Sequence, residues 1–375
     1  MGLVENHLKQ KLNERRLAGS YRVLKLENSL TDFCSNDYLG FSRSSLLKEL
    51  INEEIANHHP NLNGSTGSRL ISGNLSYTEA LEQEIAKMFN AEAGLLFNSG
   101  YDANLGLLSS LPQRGDTIIT DELIHASVID GARLSHANRY SFKHNDLESL
   151  EGKLKQAKGN CYVVIESVYS MDGDSPDIIN ILNLTERYGA QLIVDEAHAV
   201  GLYNTGIIPR LEIEDRIFAR VITFGKALGC HGAIVLGNNL LREYLINFAR
   251  SFIYTTAAPL HQLASIKMAC RLLQGSGDDI AALRQNIDIF KLQLQSIAEY
   301  PLINSYSAIQ CMILQSNEAA TKAATDLQNH GLDVRAIRSP TVAKGSERIR
   351  ICLHSFNTHT EIALLTQAVN NLIYG

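Results

Sequence analysis

From residue 94 onward the chain repeats one pattern, a short apolar run followed by a longer mixed stretch. The runs are GLLFN (94–98), TIIT (117–120), RYSF (139–142), CYVVIE (161–166), QLIVD (191–195), VITF (221–224) and AIVLG (233–237). The first six are separated by segments long enough for a crossover helix, which predicts a mostly parallel sheet covered on both faces, an α/β fold. The last gap, 225–232, is too short for a crossover. Its strand is expected to run antiparallel to its neighbour or to lie elsewhere in the sheet.

Upstream, residues 3–18 read as a polar, exposed helix leading into Thr31–Gly40, followed by a helix over 45–58 and a Gly/Ser loop, Asn63–Gly73 (NGSTGSRLISG). Ser76 and Glu79 form a capping-box pattern, and Leu81, Ile85, Met88 and Phe89 behind it share a helical face. Downstream, a long helix is predicted near 241–274. The helical repeat Ile280, Leu283, Ile287, Phe290, Leu294 and Ile297 then leads to a strand near 308–314. A helix at 317–330 stops at Gly331, strands follow near 332–337 and 348–353, and a last helix opens with a Thr358–Glu361 capping box. This β-α-β-β-α order predicts a small α+β domain with antiparallel pairing. The organisation expected is an arm over 1–44, a large seven-stranded domain over 45–265 and a small domain over 266–375.

Length and charge narrow the classes. A chain of 375 residues exceeds the ~150 of a typical domain, so two packed units are expected. With 45% hydrophobic residues, 26 Gly and 7 Pro, it reads as globular. The 34 Lys+Arg against 40 Asp+Glu give a net charge of −6, which disfavours nucleic acid as a partner. Cys34, Cys161, Cys230, Cys270, Cys311 and Cys352 form no Cys-x-x-Cys pair, so no metal site is expected. Scattered free thiols, an N-terminus without a signal-peptide stretch and the lack of an ~18-residue apolar run predict a cytoplasmic chain with no membrane association.

The candidate chemistry sits at strand ends. Thr223-Phe224-Gly225-Lys226-Ala227-Leu228-Gly229 places a lysine among small residues just past a buried strand, where desolvation favours a nucleophilic amine able to form a Schiff base. Alone, such a lysine is an ordinary loop residue. Val194-Asp195-Glu196-Ala197-His198 puts a carboxylate at the carboxyl end of a strand, where open α/β sheets bind ligands and where a pyridinium nitrogen would find its anion. Asp-Glu-Ala-His also spells a helicase box, but no G-x-x-x-x-G-K-[ST] phosphate loop occurs, and no G-x-G-x-x-G either. Ser99-Gly100-Tyr101 opens a helix after a strand and offers amides to a phosphate, with Thr223 adding a hydroxyl. His125 would stack on a flat ring or shuttle a proton, and Ser170 in ESVYSMDG would donate to a ring oxygen. Each of these has a plain structural reading as a turn or a cap. Jointly they converge on the carboxyl ends of five strands of one sheet, as a single cofactor site requires.

Together the segments SNDYLG (35–40), GSTGSRLISG (64–73), SGYDAN (99–104), HAS (125–127), SMDGD (170–174), VDEAH (194–198) and TFGKALG (223–229) resemble the α-oxoamine synthases, fold-type I pyridoxal-phosphate enzymes, over nearly the whole chain. The resemblance implies that Lys226 holds pyridoxal 5'-phosphate covalently and that Asp195 faces its ring nitrogen. It also implies that His125 stacks on the ring, His198 and Ser170 contact the ring oxygen, and Gly100, Tyr101 and Thr223 surround the phosphate. Asn36 and Arg338 match the groups that hold an amino-acid carboxylate, while Thr341 and Arg22 match substrate-contacting positions. The Ser-rich loop, SAIQ (307–310) and AIRSPTVAKGSERIRICL (336–353) point to a condensation of L-alanine with a pimeloyl thioester of coenzyme A or acyl-carrier protein, in biotin biosynthesis. A sibling activity such as glycine C-acetyltransferase is the alternative; an aminotransferase and a non-catalytic binding protein are more distant ones. The resemblance further implies a homodimer in which Tyr254, Thr255 and Thr256 reach the neighbour's cofactor. Glu196 and Ala199 depart from the VDDAHG form of many relatives.

Overall fold

A computed structural model describes residues 2–26, 28–58, 62–295 and 302–374. Ile297 of the predicted helical repeat lies outside them. The chain forms two compact units, one of residues 36–170 with 175–281, the other of residues 1–35, 171–174 and 282–375.

The larger unit is built on a seven-stranded sheet in the order Ala93–Phe97, Ala233–Gly237, Ala219–Thr223, Gln191–Asp195, Cys161–Glu166, Thr117–Asp121, Asn138–Phe142. Only Ala233–Gly237 runs antiparallel to both of its neighbours, because the nine residues 224–232 turn back without a crossover. The central strands alternate between two cores, as a sheet covered on both faces must. Tyr162 and Val164 pack with Leu107 and Val128 on one side, and Cys161, Val163 and Ile165 pack with Ile181 and Leu182 on the other.

The single long helix expected near 241–274 is three helices, Asn239–Phe248, Arg250–Ile253 and Leu260–Gln274. Pro259, which has no amide hydrogen to donate, precedes the third helix and holds its N-cap position. The Ser76–Glu79 capping box does not form. Ser76 is already the first helical residue, after the N-cap Leu75, and Glu79 is drawn to Asn74, Arg69 and Arg242. The Gly/Ser loop ends in one π-helical turn, Arg69–Gly73.

In the smaller unit Ile309–Ile313, Arg348–Cys352 and Arg335–Ile337 form an antiparallel sheet with Arg348–Cys352 in the middle. Leu332–Asp333, expected to continue into Arg335–Ile337, instead pairs in parallel with Thr31–Asp32. That pairing is one reason residues 1–35 group with the C-terminal unit and are not a separate arm, and the division falls after residue 281, not 265. The Thr358–Glu361 capping box is complete. Glu361 N donates to Thr358 Oγ1 at 3.2 Å and Thr358 N to Glu361 Oε2 at 2.7 Å. Among the described residues no helix is long and apolar enough to cross a membrane.

Candidate active site

At the carboxyl ends of the parallel strands the larger unit opens a cleft of about 210 Å³, whose walls include Gly100, Tyr101, His125, Asp195, His198, Thr223 and Lys226. Seven of the eight residues expected around the cofactor thus meet in one place. The eighth, Ser170, lies just behind, buried, with its amide donating to Glu166 Oε2 at 3.2 Å.

Lys226 rides on the short turn between the last two strands. Gly229 N donates to Lys226 O and Cys230 N to Phe224 O, each at 2.8 Å, and Phe224 N donates to Gly232 O at 2.9 Å. Gly229 takes φ +62°, and a Cβ there would stand 2.3 Å from Ser42 N, so this glycine is required. Asp195 ends its strand with both carboxylate oxygens engaged. Oδ1 accepts from Ala197 N at 2.9 Å and Oδ2 from Asn104 Nδ2 at 2.8 Å. His198 Nδ1 lies 2.8 Å from the hydroxyl of Tyr38, which also reaches Asn36 Oδ1 at 3.1 Å.

At the end of the cleft expected to take the phosphate, the Ser99 hydroxyl caps the helix Gly100–Ser110 by accepting from Asp102 N. Gly100 and Tyr101 precede the first intrahelical bond, so their amides face outward at the helix start. A Cβ on Gly100 would come within 2.6 Å of Thr223 Cγ2. Thr223 Oγ1 is buried and finds no hydrogen-bond partner among the described residues. A buried hydroxyl without a partner is costly, and it is the feature a bound phosphate oxygen would relieve. With an amine, a buried carboxylate and a flat-ring neighbour in the same cleft, the residues fit pyridoxal phosphate. Tyr101 is exposed and donates to Asp130, which raises its hydroxyl pKa.

His125 caps the helix Ala126–Leu134. Its ring is open to solvent along the cleft. Even so, the surrounding protein displaces enough water to lower its pKa, with Lys226 adding to the effect and Asp195 opposing it. Glu166 was missed as a site residue because it reads as the last residue of an apolar strand. It lies in the cleft wall, accepting from His125 N at 2.8 Å, and burial, then the nearby Asp195 charge, pushes its pKa up to about 8. Unfolded, this carboxyl would titrate near ~4.3. Between those values the folded chain holds a proton that the unfolded chain has released, so this group's contribution to stability falls as pH rises. Glu166→Gln is therefore expected to flatten the decline of unfolding free energy between pH 4.5 and 8, measured by urea denaturation across that range. An unchanged slope would contradict the protonated assignment.

The remaining candidates lie in the smaller unit. Arg22 donates to Thr341 Oγ1 at 3.2 Å, and Arg338 holds the carbonyls of Gly19 and Tyr21 at 2.8 and 3.3 Å. Thr255 and Thr256 tie back to Asn98 at the base of the phosphate helix. Glu196 turns away from the cleft. It pairs with Arg220 at 2.9 Å and accepts from Ile207 N and Ile208 N. Ala199 avoids the left-handed region, so the turn behind His198 needs no glycine.

Residues 28–369 match the family model of aminotransferase class I and II. The 8-amino-7-oxononanoate synthase of Emericella nidulans is 42% identical over 92% of this chain and 89% of its own. Among solved structures, the 8-amino-7-oxononanoate synthase of Francisella tularensis is 30% identical, with a TM-score of 0.79 over 93% of this chain and 98% of the other. Serine palmitoyltransferase from S. paucimobilis, with a bound PLP–myriocin aldimine, superposes with a TM-score of 0.89 over 99% and 98%; at 24% identity that likeness concerns the fold. The chain belongs to the aminotransferase class I and II family, within its α-oxoamine synthases.

Proposed function

We propose that the chain is a pyridoxal-phosphate-dependent acyltransferase that condenses L-alanine with a pimeloyl thioester, releasing carbon dioxide and the free thiol and yielding 8-amino-7-oxononanoate for biotin biosynthesis. The observation that carries this reading is the single cleft holding Lys226, Asp195, His125 and the unsatisfied Thr223 hydroxyl, in a chain 42% identical to a protein of that name.

Bound in this cleft, the cofactor supplies an electron-poor ring that stabilises the charge left when a bond to the amino acid's α-carbon breaks. Lys226 Nζ would hold it through a Schiff base, and its free amine would be the base for the proton on alanine Cα. Asp195 keeps the proton on the pyridine nitrogen, and Asn104 and Ala197 N hold that carboxylate in place. His198 and Ser170 serve the ring oxygen. The amides of Gly100 and Tyr101 and the hydroxyl of Thr223 receive the phosphate. His125 would stack on the ring and would donate a hydrogen bond to the thioester oxygen as negative charge builds there. Asn36 and Arg338 would hold the substrate carboxylate, Thr341 would contact substrate, and Arg22 would serve the acyl end.

The chain acts as a homodimer in this reading. Leu70 and Ile71, on the π-helical turn, and Tyr254, next to the Thr255 and Thr256 that bond Asn98, are exposed, and sedimentation would measure the assembly. Six free cysteines suit the reducing cytoplasm. Incubation with alanine and pimeloyl-CoA, followed by mass spectrometry, is expected to give the amino-ketone and carbon dioxide. Faster turnover of glycine with acetyl-CoA, or of serine, would assign a sibling activity instead.

A further inference from the structure

Asn104 is 2% exposed on the helix Gly100–Ser110 and touches two site residues at once. Its Nδ2 donates to Asp195 Oδ2 at 2.8 Å and to Ser127 Oγ at 3.1 Å. A carboxylate only accepts, so the atom facing Asp195 must be the amide nitrogen. The amide oxygen is buried with no partner among the described residues. A side chain kept here with its oxygen unpaired is there for its two donors.

The Ser127 oxygen accepts from Asn104 and lies 2.7 Å from His125 Nδ1. Ser127 N also points at Nδ1, at 3.2 Å, and a backbone N–H cannot accept. The Ser127 amide therefore requires a bare Nδ1, toward which the hydroxyl, accepting from Asn104, turns its own hydrogen, and the one ring proton of neutral His125 belongs on Nε2. A charged imidazole would set an Nδ1 hydrogen against the Ser127 amide.

We propose that Asn104 is a positioning residue that, by clamping the Ser127 hydroxyl, holds His125 as the neutral Nε2–H tautomer and ties that state to Asp195. The charged and titratable groups around the ring are Asp195, Lys226 and Glu166, whose carboxyl oxygen accepts from the His125 amide, with Tyr101, His198 and His231 also lining the cleft. The clamp presents an N–H from Nε2 to whatever enters. That this N–H meets a thioester oxygen rests on the function proposed above; the tautomer does not.

The test is nitrogen-15 spectroscopy of the full-length protein labelled at histidine, with and without pyridoxal phosphate, assigning His125 by its loss in His125→Gln. The expected ring carries its proton on Nε2 alone at pH 7. Ser127→Ala is expected to give mixed tautomers and a titration about one pH unit higher, because one of the two donors to Nδ1 is gone, and Asn104→Ala a smaller change in the same direction, because the Ser127 hydroxyl loses the donor that orients it. Ser127→Thr keeps the hydroxyl and is expected to restore the original spectrum. Should Asn104→Ala fail to fold, Ser127→Ala alone decides, since it removes a single oxygen. An Nδ1-protonated ring in the unaltered protein, or an unchanged ring in folded Ser127→Ala, would overturn the clamp. A protein that shows the tautomer yet makes no amino-ketone would refute the proposed activity and leave the clamp standing; an active enzyme with the other tautomer would do the reverse.

Discussion

Lys226→Ala is expected to lower condensation by roughly 10⁴-fold or more, because one amine is asked both to hold the cofactor and to move the α-proton. Among the described residues lining the cleft, Lys226 is the one primary amine. The turn beneath it is fixed by backbone bonds from Phe224, Gly229 and Cys230 and by the close approach of Gly229 to Ser42, none of which needs the lysine side chain. The variant should therefore fold and keep its phosphate seat. In the unaltered protein, borohydride reduction followed by peptide mapping is expected to place the pyridoxyl label on the peptide containing residue 226. In the variant the label should vanish together with the amino-ketone product. Retained turnover within about tenfold of the original, or a label on a different lysine, would refute the assignment.

The largest stability effect is expected at Arg220→Met. Arg220 and Glu196 are 3% and 0% exposed. The guanidinium gives Glu196 two contacts, at 3.0 and 2.9 Å, and donates to Phe89 O at 2.6 Å. Removing it strands a buried carboxylate, a change that costs about 3–5 kcal/mol. Burial already raises the Glu196 pKa, with Arg220 as the main opposing influence. The variant's carboxyl should rise further above its unfolded value, so the loss should be greater at pH 8 than at pH 5. Pairing the change with Glu196→Gln removes the stranded charge and keeps an oxygen for the amides of Ile207 and Ile208, so the double variant should be more stable than Arg220→Met alone. Denaturation of all three at both pH values checks this; equal losses in the single and double variants would contradict it.

This pair also shows where the sequence stops being informative. Glu196 beside Asp195 looks like a second site carboxylate, and only its direction in space, toward Arg220, separates them. The strands themselves were legible. Cys161–Glu166, Gln191–Asp195 and Ala233–Gly237 fall on the apolar runs residue for residue, because strands buried on both faces have little room for polar side chains. Length excluded a parallel crossover at 225–232, and of the two arrangements that left, the strand takes the antiparallel one. The strand order did not, since pairing between distant segments leaves no local mark. Asn104 and Ser127 were visible only inside the longer segments SGYDAN and HAS, because a residue that acts through two hydrogen bonds has no spacing of its own. The break at Ala249 and Pro259 was hidden by apolar residues that continue across it.

The edge position of Ala93–Phe97 carries a consequence for how the enzyme comes into being. Its one partner in the sheet is Ala233–Gly237, the last of the seven strands to leave the ribosome. The segment that leads into the helix Gly100–Ser110 must therefore wait, unpaired, while every other strand of that sheet is synthesised. Such distant pairing slows folding and leaves an apolar edge open during the delay, so this chain should depend on slow translation or chaperone shelter until residue 237 has emerged.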